Sequence, residues 1–156
     1  MDLKNLGWYN GSAQMWPPND PNMSGSFNGL AANEECDAGC IVKESSTNGY
    51  LAAASNSCDV IGVCAESNVG NTSATNGARR PRVYKGGQDN LFVWGVGNGT
   101  LAVTDVHKKC DVYATTSGVT TIDLADTTKG NIYIVGVDLV RNRVLGYIIP
   151  TFTNRP

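Results

Sequence analysis

Nucleophilic or metal chemistry in this chain would have to come from one histidine, His107, and five cysteines, Cys36, Cys40, Cys58, Cys64 and Cys110. A Cys–His pair needs the imidazole beside the thiol, and His107 precedes Cys110 closely. Yet Asp105-Val106-His107-Lys108-Lys109 reads as a polar turn, while Cys110 falls in an alternating run that aims it into a core. A solvated or turn-capping histidine fits that setting. Structural zinc takes closely spaced cysteine pairs in matched sets, and only Cys36 and Cys40 are four apart. An odd count excludes a complete intrachain disulfide framework. Buried thiols packing as small hydrophobes, in a chain folded in a reducing compartment, are the expectation. The carboxylate pairs Glu34-Glu35 and Asp123/Asp126 read as neighbouring charges in loops or turns. Gly95-x-Gly97-x-Gly99 precedes strand-like residues, whereas a dinucleotide site needs a helix there, so Gly97-Asn98-Gly99 reads as a turn. No Gly-x-Ser-x-Gly elbow is present. The residues therefore predict no enzyme, no cofactor and no metal.

The elements that would hold these residues are β-strands. The chain has 156 residues, one domain's worth, with 41% hydrophobic and 17% charged residues and 18 glycines. Abundant Gly, Asn, Thr and Ser describe many short strands and tight turns. A formal charge of −2 gives no electrostatic footprint for nucleic acid, and only Arg79-Arg80-Pro81-Arg82 is locally basic. No secretory signal is expected after Met1–Asn5, and the most apolar stretch, 131–147, is broken by Asp138, Arg141 and Arg143.

Residues 1–33 differ from the rest. Trp8, Tyr9, Met15, Trp16 and Phe27 stand among Pro, Asn, Gly and Ser with neither helical nor strand period, which predicts an extended N-terminal arm. Ordering each residue costs about 1–2 kcal/mol of backbone entropy, whereas each buried large side chain returns roughly 1.5–3 kcal/mol. Five anchors cannot order such an arm unless its backbone also pairs, with its own domain or with a partner. Residues 34–156 form a single β-rich domain. Strands are predicted at 40–43, 50–54, 59–65, 82–84, 90–96, 101–103, 110–114, 120–124, 132–137 and 144–149, with a surface loop over 67–78. Single helical turns fit 103–108 and 122–128, with Thr104 and Asp123 as caps. Phe92 and Trp94 share one strand face, with Leu91 and Val93 on the other.

Two stretches repeat one pattern, about 38–84 and 101–149. Cys40-Ile41-Val42, Ile61-Gly62-Val63 and Arg82-Val83 in the first answer Cys110-Asp111-Val112, Val135-Gly136-Val137 and Arg143-Val144 in the second. The expected fold is all-β, a compact barrel or sandwich built from a duplicated strand-turn-strand motif. This succession of Ala-Gly, Asn-Gly, Ile-Gly-Val and Arg-Val elements resembles the decoration (cement) proteins of tailed-bacteriophage heads, over roughly 38–149. The resemblance implies a virion protein, made in the host cytoplasm, that bridges major capsid protein subunits on the head surface, often as a trimer. Trp8, Tyr9, Met15, Trp16 and Phe27 are then the candidate capsid contacts. The alternative is a carbohydrate- or host-receptor-binding β-domain of a tail or fibre, stacking sugars on Trp8, Tyr9, Trp16 or Trp94.

Overall fold

A computed structural model describes residues 8–10, 14–15, 29–44, 50–56, 58–65, 69–72, 74–79, 81–116 and 119–150. Among them the chain is all-β, with strands β1 (Trp8–Asn10), β2 (Gln14–Met15), β3 (Glu35–Cys36), β4 (Ile41–Glu44), β5 (Leu51–Ala53), β6 (Gly62–Cys64) and β7 (Val69–Gly70). They continue as β8 (Arg82–Lys85), β9 (Leu91–Asn98), β10 (Lys109–Thr116), β11 (Val119–Asp123), β12 (Ile132–Asp138) and β13 (Arg143–Ile148). No helix among the described residues is long and apolar enough to cross a membrane.

Strand β9 closes a five-stranded barrel. It pairs with β11 in parallel at Ile122 opposite Val96, and with β13 antiparallel from Gly95–Arg143 to Phe92–Gly146. The ring runs β9-β11-β10-β12-β13 and returns to β9. A second sheet has the order β2-β8-β6-β4-β5, and β3 with β7 forms a two-stranded ribbon. The runs β5-β4-β6-β8 and β11-β10-β12-β13 share one order, but their registers differ. Ile41 faces Val63 across β4–β6, whereas Cys110 faces Ile132 across β10–β12, so the two Gly-Val signatures do not hold equivalent positions.

Alternation distributes the side chains between two cores. Ile41 and Val63 turn toward the barrel and join Phe92, Trp94, Cys110, Val112, Ile122, Ile132, Ile134, Val144 and Ile148. Val42, Cys64 and Val83 turn the other way and pack with Leu30, Cys36, Cys40, Leu51 and Ile61. Trp94 ties the halves together, its Nε1 donating to the Gly39 carbonyl at 3.4 Å. Ile41 N–H donates to Thr120 Oγ1 at 2.7 Å, and Ala114 N–H to Asn56 Oδ1 at 2.7 Å. Gly62 is required by this packing, because a Cβ there would collide with the Tyr84 carbonyl on β8.

The arm's backbone pairs with its own domain. Trp8 lies opposite Phe92, Gln14 opposite Val83, and Leu30, assigned to the arm by sequence, is fully buried in the second core. Several local expectations are corrected. Residues 101–103 form no strand: a 3-10 turn occupies Val103–Asp105, capped by Asp105, whose Oδ2 accepts the Ala102 N–H at 2.8 Å, and not by Thr104. No helical turn follows Ile122; β11 runs to Asp123, whose Oδ1 accepts the Ala125 and Asp126 N–H groups and bends the chain. Gly97-Asn98 belongs to β9, and only Gly99, at φ +89°, turns. The polar loop over 67–78 contains β7 and is fastened by buried Asn71, whose amide donates to the carbonyls of Leu30, Ala31 and Thr75.

Asp111 is a fully buried carboxylate that sequence places within a strand run. Its oxygens accept the Lys129 N–H at 3.0–3.1 Å and the Gly130 N–H at 2.5 Å, holding the 124–131 loop on the barrel. Asp111→Ala strands both donors and is expected to cost about 2–3 kcal/mol, read from the urea midpoint. Asp111→Asn, which keeps an acceptor, is expected to cost less. A loss below about 0.5 kcal/mol for the alanine variant would show that the loop does not depend on this carboxylate.

Candidate docking surface

The β12–β13 hairpin presents apolar groups outward where a barrel wall would ordinarily be polar. Its register carries a bulge: Ile134 faces Gly146 and Gly136 faces Leu145, so Val135 is the extra residue. A bulge re-aims the strand, sending Ile132 and Ile134 inward before it and Val137 inward after it. Val135 is left 37% exposed on the outside. On the same wall Tyr133 lies opposite Tyr147, their rings stacked with centroids 5.1 Å apart. Leu145 faces Val93 on β9, and both are half-buried.

A turn clips the edge of β12. His107 N–H donates to Ile134 O at 2.8 Å, and Ile134 N–H donates to Lys108 O at 2.9 Å. To reach this position His107 adopts φ +69°, an uncommon conformation for a residue with a Cβ. Its Nδ1 lies 3.1 Å from the Tyr133 hydroxyl. In the same turn Val103 is 65% exposed.

The tip of the hairpin is the sharpest feature. Leu139 is 51% exposed and Val140 93% exposed. Asp138 stiffens the turn: its carboxylate accepts the Arg141 N–H at 3.1 Å and Arg143 Nε at 3.0 Å, and Arg141 Nη1 lies 3.4 Å away. Asn142, at φ +49°, closes the turn, and its carbonyl accepts the Val96 N–H at 3.1 Å. The apolar tip is thus held rigidly, so seating it on a partner costs little ordering entropy. Arg141 and Arg143 pair with Asp138 at the tip, and Lys108 pairs with Asp105 in the 103–105 turn.

Asp138 and Asp105 are held below the ordinary carboxylate value of 3.8. For Asp138 the Arg141 backbone N–H is the chief cause, with the side chains of Arg143 and Arg141 adding and partial desolvation opposing. For Asp105 it is the Lys108 side chain, then the Ala102 N–H. A depressed folded-state value means a contribution present above the unfolded value and lost as pH falls through the folded one. The tip and the 103–105 turn are therefore expected to hold at pH 5 and to loosen below about pH 3.8. Amide exchange at Arg141 and Ala102, corrected for intrinsic rates, should lose protection in that window, and Asp138→Asn should abolish the pH step at Arg141. Unchanged protection down to pH 2 would contradict this assignment.

Of the residues singled out by sequence, Trp8, Tyr9 and Met15 lie on β1 and β2, and Trp16 and Phe27 lie outside the described residues. Strand β1 pairs with β9, which pairs with β13, so the arm's first strand joins the wall that carries this face. Trp94 is fully buried, which removes it from any sugar-stacking platform. Cys110 lies in the barrel core, where burial, then Asp111, pushes its thiol up to about 12, while the His107 ring is exposed. Among the described residues no group of three or more His, Cys, Asp or Glu side chains has the geometry to hold a metal ion. Sequence reasoning missed Tyr133, Tyr147, Leu139 and Val140. The available signal was Leu139-Val140 itself, an apolar pair in a four-residue turn where polar residues are the rule. Compared with known proteins, the chain matches no family model, no curated protein and no solved structure.

Proposed function

We propose that this chain is a non-enzymatic decoration protein that binds the outside of a tailed-phage head and bridges major capsid protein subunits. The observation that carries the reading is the solvent-exposed Leu139–Val140 tip of the β12–β13 hairpin, whose strands carry the exposed Val135 and the stacked Tyr133–Tyr147 pair. Exposed apolar side chains carried outward on one hairpin suit a protein-binding surface. Arm strands laid along the outer edges of β9 and β8 add a second region from which a clamp is built. Weak contacts made at several points by one rigid body, and by a trimer of such bodies, multiply through high effective concentration. The virion head surface is then its working location, after synthesis in the host cytoplasm, and neither nucleic acid nor a membrane is a partner.

The test is co-sedimentation with expanded heads that lack the protein. The reading expects saturable uptake at a fixed ratio to the major capsid protein, and heads that survive a higher temperature. Absence of uptake across the micromolar range would overturn it. The aromatic row of His107, Tyr133 and Tyr147 favours a second reading, a glycan- or receptor-binding β-domain. Selective capture on a glycan array without head uptake would establish that reading instead.

A further inference from the structure

Five Asn-Gly steps stand in the sequence, and the fold treats two of them in opposite ways. Such a step can close on itself, because glycine has no Cβ to shield its backbone nitrogen from the preceding side-chain amide. At Asn76-Gly77 both groups are engaged elsewhere. Asn76 Oδ1 accepts the Ala32 N–H at 2.8 Å, and Gly77 N–H donates to the Leu30 carbonyl at 2.8 Å. At Asn98-Gly99, where β9 ends, the two groups face each other. Gly99 N–H donates to Asn98 Oδ1 at 3.0 Å, and the amide carbon Cγ is only about 1.2 Å from that oxygen. Asn98 Nδ2 donates to Asp123 Oδ1 at 3.0 Å, which turns the amide so that its oxygen faces Gly99. Asp123 is a firm anchor: it is buried, and the same oxygen accepts the Ala125 and Asp126 N–H groups at 2.9 and 3.1 Å. Asn98 and Gly99 are both exposed, so water reaches the reacting atoms.

From this geometry we infer that Asn98 is a self-modification site, converting to aspartate and isoaspartate through a cyclic imide closed by the Gly99 nitrogen. Solvent hydroxide takes the Gly99 N–H proton, and the nitrogen's electron pair forms a bond to Asn98 Cγ. The Cγ–Nδ2 bond breaks, and Nδ2 takes a proton from water and leaves as ammonia. Water then adds to either imide carbonyl and reopens a C–N bond, leaving a carboxylate on residue 98. The net change replaces NH by O. Holding nucleophile and carbonyl together is what accelerates such a closure, and Asp123 acts as the positioning residue. The product sets a second negative charge where an amide donor to Asp123 had been, and like charges this close repel. The bend that Asp123 holds at Ala125 and Asp126 then loosens, so the end of β9 records the age of the chain. This inference does not depend on the docking reading.

The test incubates the purified full chain at mildly alkaline pH, natively and in concentrated urea, and follows each Asn-Gly peptide by mass mapping. In the native chain Asn98 is expected to convert about tenfold or more faster than Asn76, whereas in urea the two rates should come together. In the Asn98→Asp chain, a stand-in for one product, amide exchange at Ala125 and Asp126 should run several-fold faster than in the parent. Native conversion of Asn98 no faster than that of Asn76, or the same ratio of rates in urea as in the native chain, would overturn the site. Unchanged exchange at Ala125 and Asp126 in Asn98→Asp would overturn its coupling to the bend.

Discussion

Leu139→Ser combined with Val140→Asp is expected to weaken uptake onto heads about tenfold to a hundredfold while leaving the folded domain's stability nearly unchanged. In the free chain Val140 is 93% exposed, so its side chain gives up little contact with solvent on folding. The turn's hydrogen bonds belong to Asp138, the Arg141 backbone and Arg143, none of which is altered. Surface changes of this kind stay within roughly 0.5 kcal/mol. Against a partner, burying a valine or leucine is worth about 1.5–3 kcal/mol each, and a new aspartate must either be desolvated or hold the surfaces apart. A loss of about 1.4 kcal/mol is tenfold in affinity, so the pair lies well within range of a co-sedimentation isotherm. Unchanged uptake with an unchanged melting curve would remove the tip from the interface.

Trp94→Ala is expected to cost about 3–5 kcal/mol, the largest stability effect of any substitution considered for this chain. Trp94 is fully buried and packs on Phe92, with centroids 5.2 Å apart, and Phe92 meets Tyr84 edge-on at 5.6 Å. These rings run from the barrel to β8 and join the two sheets. Removing the indole empties the largest side chain of that core and leaves the Gly39 carbonyl without its donor. Because domains of this size are stable by only about 5–15 kcal/mol, urea titration should show a midpoint shifted by a large fraction of the whole. A loss under about 1 kcal/mol would mean that the core closes over the gap and that the aromatic ladder does not join the sheets.

Alternation made much of this fold legible. Phe92 and Trp94 on one face of β9, and Cys110 and Val112 on one face of β10, were readable because a strand's period is two. Closure of the barrel was not, because it depends on the parallel pairing of β9 with β11, which no local pattern encodes. The β12 bulge hid which residues face out: an unbroken alternation puts Val135 and Val137 on one side, whereas the extra residue separates them. Asp111 reads as an outward polar position, and only the returning 124–131 loop, with its N–H groups, explains its burial. The candidate site was less legible still. The arm aromatics stand out by composition, whereas Tyr133 and Tyr147 meet only through a cross-strand register that includes the bulge. Leu139 and Val140 gain meaning from the hairpin that holds them aloft.

The measurement that bears most directly on this account is radical footprinting of the chain, free and bound on saturated heads. Docking through the β12–β13 wall predicts strong protection at Leu139, Val140, Val103, Tyr133 and Tyr147, with Asn76 and its exposed loop unprotected. Equal labelling of Leu139 and Val140 in the free and bound chain would contradict it.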